Sequence, residues 1–252
     1  MGDHATQKSP PRRRGGAAQG RATKTAAVPP PARDHAPSRR TYAALDLGTN
    51  NCRLLIAKPD GPRFTVVDAF SRIVRLGEGL AANGAISPAA IDRTLSALSV
   101  CADKLVKRNV FMARSVATEA CRRATNGVEF VERVYRETGI KLDIIAPQEE
   151  ARLAVLGCHA LLEEGDGPAV IFDIGGGSTE LVLVDTPEGH PRTLDWRSIP
   201  WGVVSLSESI AHDSTDPVAR TAAYAAMRAR VRESLGEFGT RLGAMSPQNA
   251  RL

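Results

Sequence analysis

The chain predicts an α/β fold built on a duplicated unit with two anion-facing loops, and three observations carry that expectation. Residues 42–57 (YAALDLGTNNCRLLIA) and 169–184 (AVIFDIGGGSTELVLV) repeat one pattern 127 positions apart: an apolar run into Asp-apolar-Gly, small or polar residues, then a second apolar run. Asp46 falls on Asp173, Gly48 on Gly175, and Leu54-Leu55-Ile56 on Leu181-Val182-Leu183. Each copy reads as strand, tight turn, strand, and the turns are rich in residues that tolerate unusual backbone angles and can present N–H groups to an anion. Strand-like runs then alternate with helical periodicity, as in layered α/β proteins. Finally, 252 residues with 42% apolar content suffice to bury a sizeable core.

The elements follow in order. Strands are expected at 42–47, 52–58 and 64–70, separated by the Asp46–Asn51 turn and by Pro59-Asp60-Gly61-Pro62. Residues 72–80 (RIVRLGEGL), half charged and ending in glycines, predict an extended loop. Ser87-Pro88 supplies an N-cap and a proline at the first helical position. Ile91, Leu95, Leu98, Ala102 and Leu105 continue the stripe of an amphipathic helix over 88–108. A strand at 110–117 leads into helix over 118–138, broken near Asn126-Gly127, and then a short strand at 142–145. A helix from Gln148 to Leu162 opens with Glu149 and Glu150 in the turn where the helix dipole favours anions. After the second hairpin come a strand near 192–199, a helix after Trp201-Gly202-Val203-Val204, and a long helix over 217–239.

Charge is unevenly distributed. Residues 1–40 hold nine of the 33 Lys/Arg, two of the 28 Asp/Glu and six of the 16 prolines, so the body carries a net charge of −2 despite the +5 of the whole chain. With almost no large apolar residue, this tail cannot offset the entropy of ordering and is expected to be disordered, its Arg12-Arg13-Arg14 run available to polyanions. No apolar stretch reaches 18 residues, which argues against a membrane span. Cys52, Cys101, Cys121 and Cys158 lack metal or disulfide spacing, so the expectation is a reduced, cytoplasmic chain. No functional case attaches to the five histidines.

Several residues are candidates for chemistry. Gly175, Gly176 and Gly177 remove every Cβ from the second turn so that backbone N–H groups can approach a phosphate; Ser178 and Thr179 add hydroxyls, and Asp173 ends the preceding strand where a carboxylate can hold Mg²⁺. Gly48, Thr49, Asn50 and Asn51 form the matching first loop, with Arg53 beyond it. Thr118 is a candidate cap, and Arg122 or Arg123 could clamp a phosphate oxygen. Of the adjacent acids Glu149 and Glu150, which raise each other's proton affinity, one could turn inward as a general base for water.

The blocks DLGTNNCRLLI, RIVRLGEGL, ATEACRRATNGVEF, TGIKLDII, QEEARLAVLG and VIFDIGGGSTELVLV, in this order, resemble the Ppx/GppA phosphatase family over about residues 42–236. The resemblance implies an exopolyphosphatase or guanosine pentaphosphate phosphohydrolase. Its fold would be α/β, with two RNase H-like (actin-like ATPase) subdomains around a phosphate cleft. It implies Glu150 as the base, Arg122 on phosphate, residues 48–51 and 175–178 as phosphate loops, and Asp173 with Glu180 at a Mg²⁺ site. The chain is accordingly expected to comprise a tail at 1–40, subdomain I at 41–165, a partial subdomain II at 166–240 and an irregular end at 241–252. Family members continue with a further Gly-Thr loop that FGTRLGAMSPQNARL does not contain. The second subdomain is therefore expected to be incomplete, with an exposed sheet face that favours a homodimer. A truncated, non-catalytic binder of polyphosphate or alarmone is the second reading, and an actin-like kinase or ATPase the third.

Overall fold

The computed structural model describes residues 40–61, 63–158, 161–162, 167–186, 191–211 and 213–245. The chain divides into two units, Met1–Ala36 and Pro37–Leu252. The first unit lies outside the described residues, and with it the expectations for the basic tail. The second unit runs β1 (Thr41–Leu47), β2 (Asn51–Asp60), β3 (Arg63–Ile73), α1 (Leu80–Asn83), α2 (Pro88–Lys107), β4 (Val110–Ala117), α3 (Glu119–Arg123), α4 (Gly127–Thr138), β5 (Asp143–Ile144), α5 (Pro147–Cys158), β6 (Ala169–Ile174), β7 (Thr179–Asp185), β8 (Arg192–Ile199), α6 (Val203–Glu208) and α7 (Pro217–Met245).

Two sheets result, a five-stranded one in the order β3-β2-β1-β4-β5 and a three-stranded one in the order β6-β7-β8. The duplication read from the sequence is visible in their registers. Asp46 stands opposite Arg53 in the antiparallel pair β1–β2, as Asp173 stands opposite Glu180 in β6–β7. Even the strand irregularities recur at the 127-residue shift, at Ile56/Ala57 and again at Leu183/Val184. In the larger sheet, β4 joins β1 in parallel after the α2 crossover, and β5 joins β4.

Alternation along the strands sets the cores. Leu45, Leu47, Leu54 and Ile56 face Leu95 and Leu98 of α2 and Phe130 and Val134 of α4. The smaller sheet is covered on both faces. Ile171, Val182 and Val184 pack under Ala151 and Val155 of α5. Val170, Leu181, Leu183 and Ile199 pack against Leu235 and Phe238 of α7. Full burial of such side chains contributes about 1.5–3 kcal/mol each.

Local sequence explains the helix ends. Ser87 accepts a hydrogen bond from the Ala90 N–H and Pro88 opens α2, as expected. The break between α3 and α4 is made by Asn126, whose Oδ1 accepts from the Ile86 N–H (2.9 Å) and whose Nδ2 donates to the Ile86 carbonyl (3.0 Å). Two features run longer than the sequence predicts. β3 takes in the first part of the 72–80 segment, and α7 continues to Met245, past the irregular end expected from 241. Arg241 pairs with Asp195 at 2.7 Å and Leu242 packs on the α7 core, so tertiary contacts hold that last turn in place. Among the described residues, no helix is long and apolar enough to cross a membrane.

Asp68 ties β3 to the end of α2, accepting from Lys104 Nζ at 2.8 Å and Arg108 Nε at 2.9 Å. These two partners hold its carboxyl well below its ordinary value, at about 2. A carboxylate depressed in the native state contributes stability above its unfolded value and loses that contribution as pH falls through the native one. Asp68→Asn is therefore expected to lower Tm by a few degrees at pH 7 and to match wild type near pH 2, read by calorimetry at both.

Candidate active site

Both turns of the duplication close with the same bond: Gly48 N–H donates to the Asn51 carbonyl (2.9 Å), and Gly175 N–H to the Ser178 carbonyl (3.0 Å). Each is braced from behind by a different segment. Val74, Arg75 and Gly77 of the 72–80 stretch donate to the carbonyls of Asn50 and Thr49, so this stretch is a buttress as well as a loop. The start of α6 does the same for the second turn, with Val203 donating to Gly175 and with Val204 and Ser205 donating to Gly176. Ser205 Oγ also donates to the Gly177 carbonyl at 2.9 Å.

The turns touch each other. A Cβ on Gly176 would meet Thr49 Cβ at 3.0 Å and Asn50 N at 3.1 Å; one on Gly177 would meet Thr49 Oγ1 at 2.6 Å and Glu119 Cγ at 2.9 Å. The sequence reading gave these glycines to phosphate approach alone. The structure gives them a second reason, close contact between the loops.

Between the loops lies a cavity of about 160 Å³. It is lined by Gly48, Thr49, Asn50 and Asn51 from one side and by Asp173, Gly175, Gly176, Gly177 and Ser178 from the other, with Glu150 also at its wall. Asp46, Arg53, Thr118 and Glu119 line it too. Thr118 occupies the cap position of α3 but makes no side-chain cap. Thr49 Oγ1 is buried without a hydrogen-bond partner.

Glu149 and Glu150 have opposite surroundings. Glu149 turns outward to Arg152 and to Arg114 of β4, which hold its carboxyl down at about 2. Glu150 turns inward, where burial first and then the negative charge of Glu180 push its carboxyl up to about 7 against the pull of Arg122. The adjacent glutamate, invoked from sequence, is not the cause. Glu150 Oε2 lies 2.9 Å from Arg122 Nη2 as an ion pair but has no hydrogen-bond partner.

Arg122 is placed differently from the sequence reading. It is not among the residues lining the cavity. Its Nε and Nη2 donate to Glu119 Oε2 and its Nη1 to the Ile145 carbonyl at 2.6 Å. Its donors are thus committed to Glu119, Glu150 and the backbone, which suits holding a carboxylate more than clamping a phosphate.

Glu180 is also displaced from its expected position. Only 1% exposed, it lies under the cavity wall and accepts from Ser198 Oγ at 2.8 Å; burial raises its proton affinity, which the Ser198 and Ser178 hydroxyls beside it lower. Among the described residues, no three His, Cys, Asp or Glu side chains group closely enough to cage a metal ion. Mg²⁺ needs no such cage, because one or two carboxylates suffice beside water and phosphate oxygens. Asp173 lines the cavity opposite Asp46, whose proton affinity burial raises, Arg53 lowers and Asp173 raises again. This donor set fits a hydrated Mg²⁺. Asp46 and Glu119 are the lining acids that the sequence reading left out; the 127-residue shift from Asp173 was the available signal for Asp46.

Residues 55–248 match the model of the Ppx/GppA phosphatase family. The chain belongs to this family. Exopolyphosphatase 2 of Mycobacterium tuberculosis is 37% identical over 184 residues, 69% of this chain and 56% of that protein. The Ppx/GppA chain therefore spans little more than half the length of this relative. A solved exopolyphosphatase from Cytophaga hutchinsonii superposes with a TM-score of 0.75 at 25% identity, over 84% of this chain and 65% of the other. The Aquifex aeolicus member of the Ppx/GppA family gives 0.62 at 30% identity, over 79% and 62%. The architecture is the α/β, actin-like ATPase fold that the sequence predicts.

Proposed function

We propose that the chain is a Mg²⁺-dependent phosphohydrolase that removes the terminal phosphate from inorganic polyphosphate or guanosine pentaphosphate. One observation supports this above the others. Glu150 stands at a small polar cavity between two loops, its Oε2 held 2.9 Å from Arg122 and its carboxyl poised at about 7. A carboxylate so placed can take a proton from water at neutral pH. The names of the relatives point to the same chemistry.

In this reading the water oxygen attacks the terminal phosphorus as its proton passes to Glu150. The bond from that phosphorus to the bridging oxygen breaks, leaving a chain one phosphate shorter. The loop backbones at 48–51 and 175–178 orient the chain end, with Thr49 Oγ1 left to pair with it. Arg122 keeps Glu150 turned toward the cavity through the 2.9 Å contact. Mg²⁺, held through Asp173 and Asp46, would supply neutralisation of the phosphate charge. The free thiols of all four cysteines favour a reducing compartment such as the cytoplasm.

Incubating the chain with Mg²⁺ and either polyphosphate or guanosine pentaphosphate tests this. Orthophosphate release from one of them, with polyphosphate shortened from its ends, is the expected result. Retained binding with no release would favour a non-catalytic binder, and neither binding nor release would defeat both readings.

A further inference from the structure

The two carboxylates beside the second loop belong to a longer row. Asp173 on β6 stands opposite Glu180 on β7, and Glu180 stands opposite Ser198 on β8, so the three share one face of the smaller sheet. Ile171, Val182 and Trp196, two residues along on the same strands, lie on the face covered by α5, the helix that carries Glu150. The row therefore runs beneath the first turn of α5. The same row exists in the larger sheet. Asp46 pairs with Arg53 and Arg53 with Ser71, and the 127-residue shift carries Asp46, Arg53 and Ser71 onto Asp173, Glu180 and Ser198. The serine at the end of the row is a repeated feature of the unit.

We propose that Ser198 is a positioning residue of this site: its hydroxyl fixes the buried Glu180 carboxylate, and through it the Ser178 hydroxyl at the cavity wall. The Ser198 Oγ–H donates to Glu180 Oε1 at 2.8 Å, and Ser178 meets the same carboxylate from the loop side. With Glu180 only 1% exposed, water has little access to replace a lost donor. Without Ser198 the carboxylate is free to turn, and the orientation of Ser178, itself only 3% exposed, goes with it. Partners that orient the groups around a metal site typically contribute 10–100-fold to affinity or activity. Ser198 touches neither substrate nor ion in this assignment, which rests on the proposed metal site for its Mn²⁺ arm and on the proposed hydrolysis for its turnover arm.

The test uses the full chain carrying Ser198→Ala or Ser198→Thr, with Mn²⁺ as the probe ion. Mn²⁺ binding is followed by the electron paramagnetic resonance of the free ion, alongside orthophosphate release and thermal melting. Ser198→Ala is expected to weaken Mn²⁺ binding by roughly 10-fold and to lower kcat by a similar factor, with KM within about twofold. Its melting temperature should fall by a few degrees, because the buried carboxylate loses a donor that water cannot replace. Ser198→Thr, which keeps the hydroxyl on a residue suited to strands, should restore both. Wild-type Mn²⁺ binding in Ser198→Ala, or losses that Ser198→Thr does not rescue, would overturn the assignment. A wild-type chain that binds Mn²⁺ but releases no phosphate would defeat the hydrolytic reading while the Mn²⁺ arm still judges Ser198. A wild-type chain that binds no Mn²⁺ would overturn the role of Ser198 as well.

Discussion

Replacing Glu150 with glutamine is expected to lower kcat by about 10²–10⁴-fold, the usual contribution of a positioned general base, with little change in KM. The pH profile gives the more specific signature. The base works only when deprotonated, so wild-type kcat/KM without excess metal should climb as pH rises through about 7, while Glu150→Gln stays flat there. Stability should move in the opposite direction. A buried carboxyl whose native value lies above its unfolded one supports the fold at low pH and loses that support as pH rises through the native value. Metal-free Glu150→Gln should therefore melt above wild type at pH 8 and close to it near pH 4. Phosphate release across pH 5–9 and calorimetry at both ends read the two effects. A substitution that left the pH profile intact would remove Glu150 from the chemistry.

Substitution of Gly202 by alanine carries the second large effect. A Cβ there would run into the carbonyl carbon of Gly176 and the carbonyl oxygens of Gly175 and Gly176, all backbone atoms of the second loop. Backbone cannot swing aside as a side chain can, so either α6 retreats or the loop is pushed toward Thr49. Overpacking of this kind typically costs about 1–3 kcal/mol. Because the loop carbonyls also accept the first N–H groups of α6, the cost is expected at the upper end. A drop in Tm of roughly 4–10 °C would follow for a chain of this size. Phosphate release should fall at least 100-fold, since a displacement of about 1 Å at a site can cost that much. Unchanged Tm and turnover would show that the contact between α6 and the loop is dispensable.

The parts of the fold that were legible in sequence are those set by local chemistry. The Asp-x-Gly turns, the Ser87-Pro88 start of α2 and the break at Asn126-Gly127 depend on residues within a few positions of one another. The reasons behind the site were harder to read, because they are long-range. Arg122 finds the Ile145 carbonyl 23 positions away, and Gly176 and Gly177 find Thr49 across the cleft. The direction taken by each of Glu149 and Glu150 depends on Arg114 and Glu180, which no helical spacing connects to them. Glu150 itself was singled out by resemblance; by residue pattern alone it was one of two acids in a first helical turn. Asp46 was within reach, since the shift that found Asp173 passes through it.

Among the differences between the two copies, one reverses a charge. At the middle of the two equivalent rows, one half carries Arg53 and the other Glu180. Two identical halves facing each other would offer the same potential from either side, and a linear anion could lie between them in either sense. The exchange of one charge for its opposite gives the gap a polarity. Arg53 stands at the cavity wall on one flank, and the buried Glu180 lies behind the wall on the other. The opposite charges at this one position of the two rows thus give the cavity two unlike flanks.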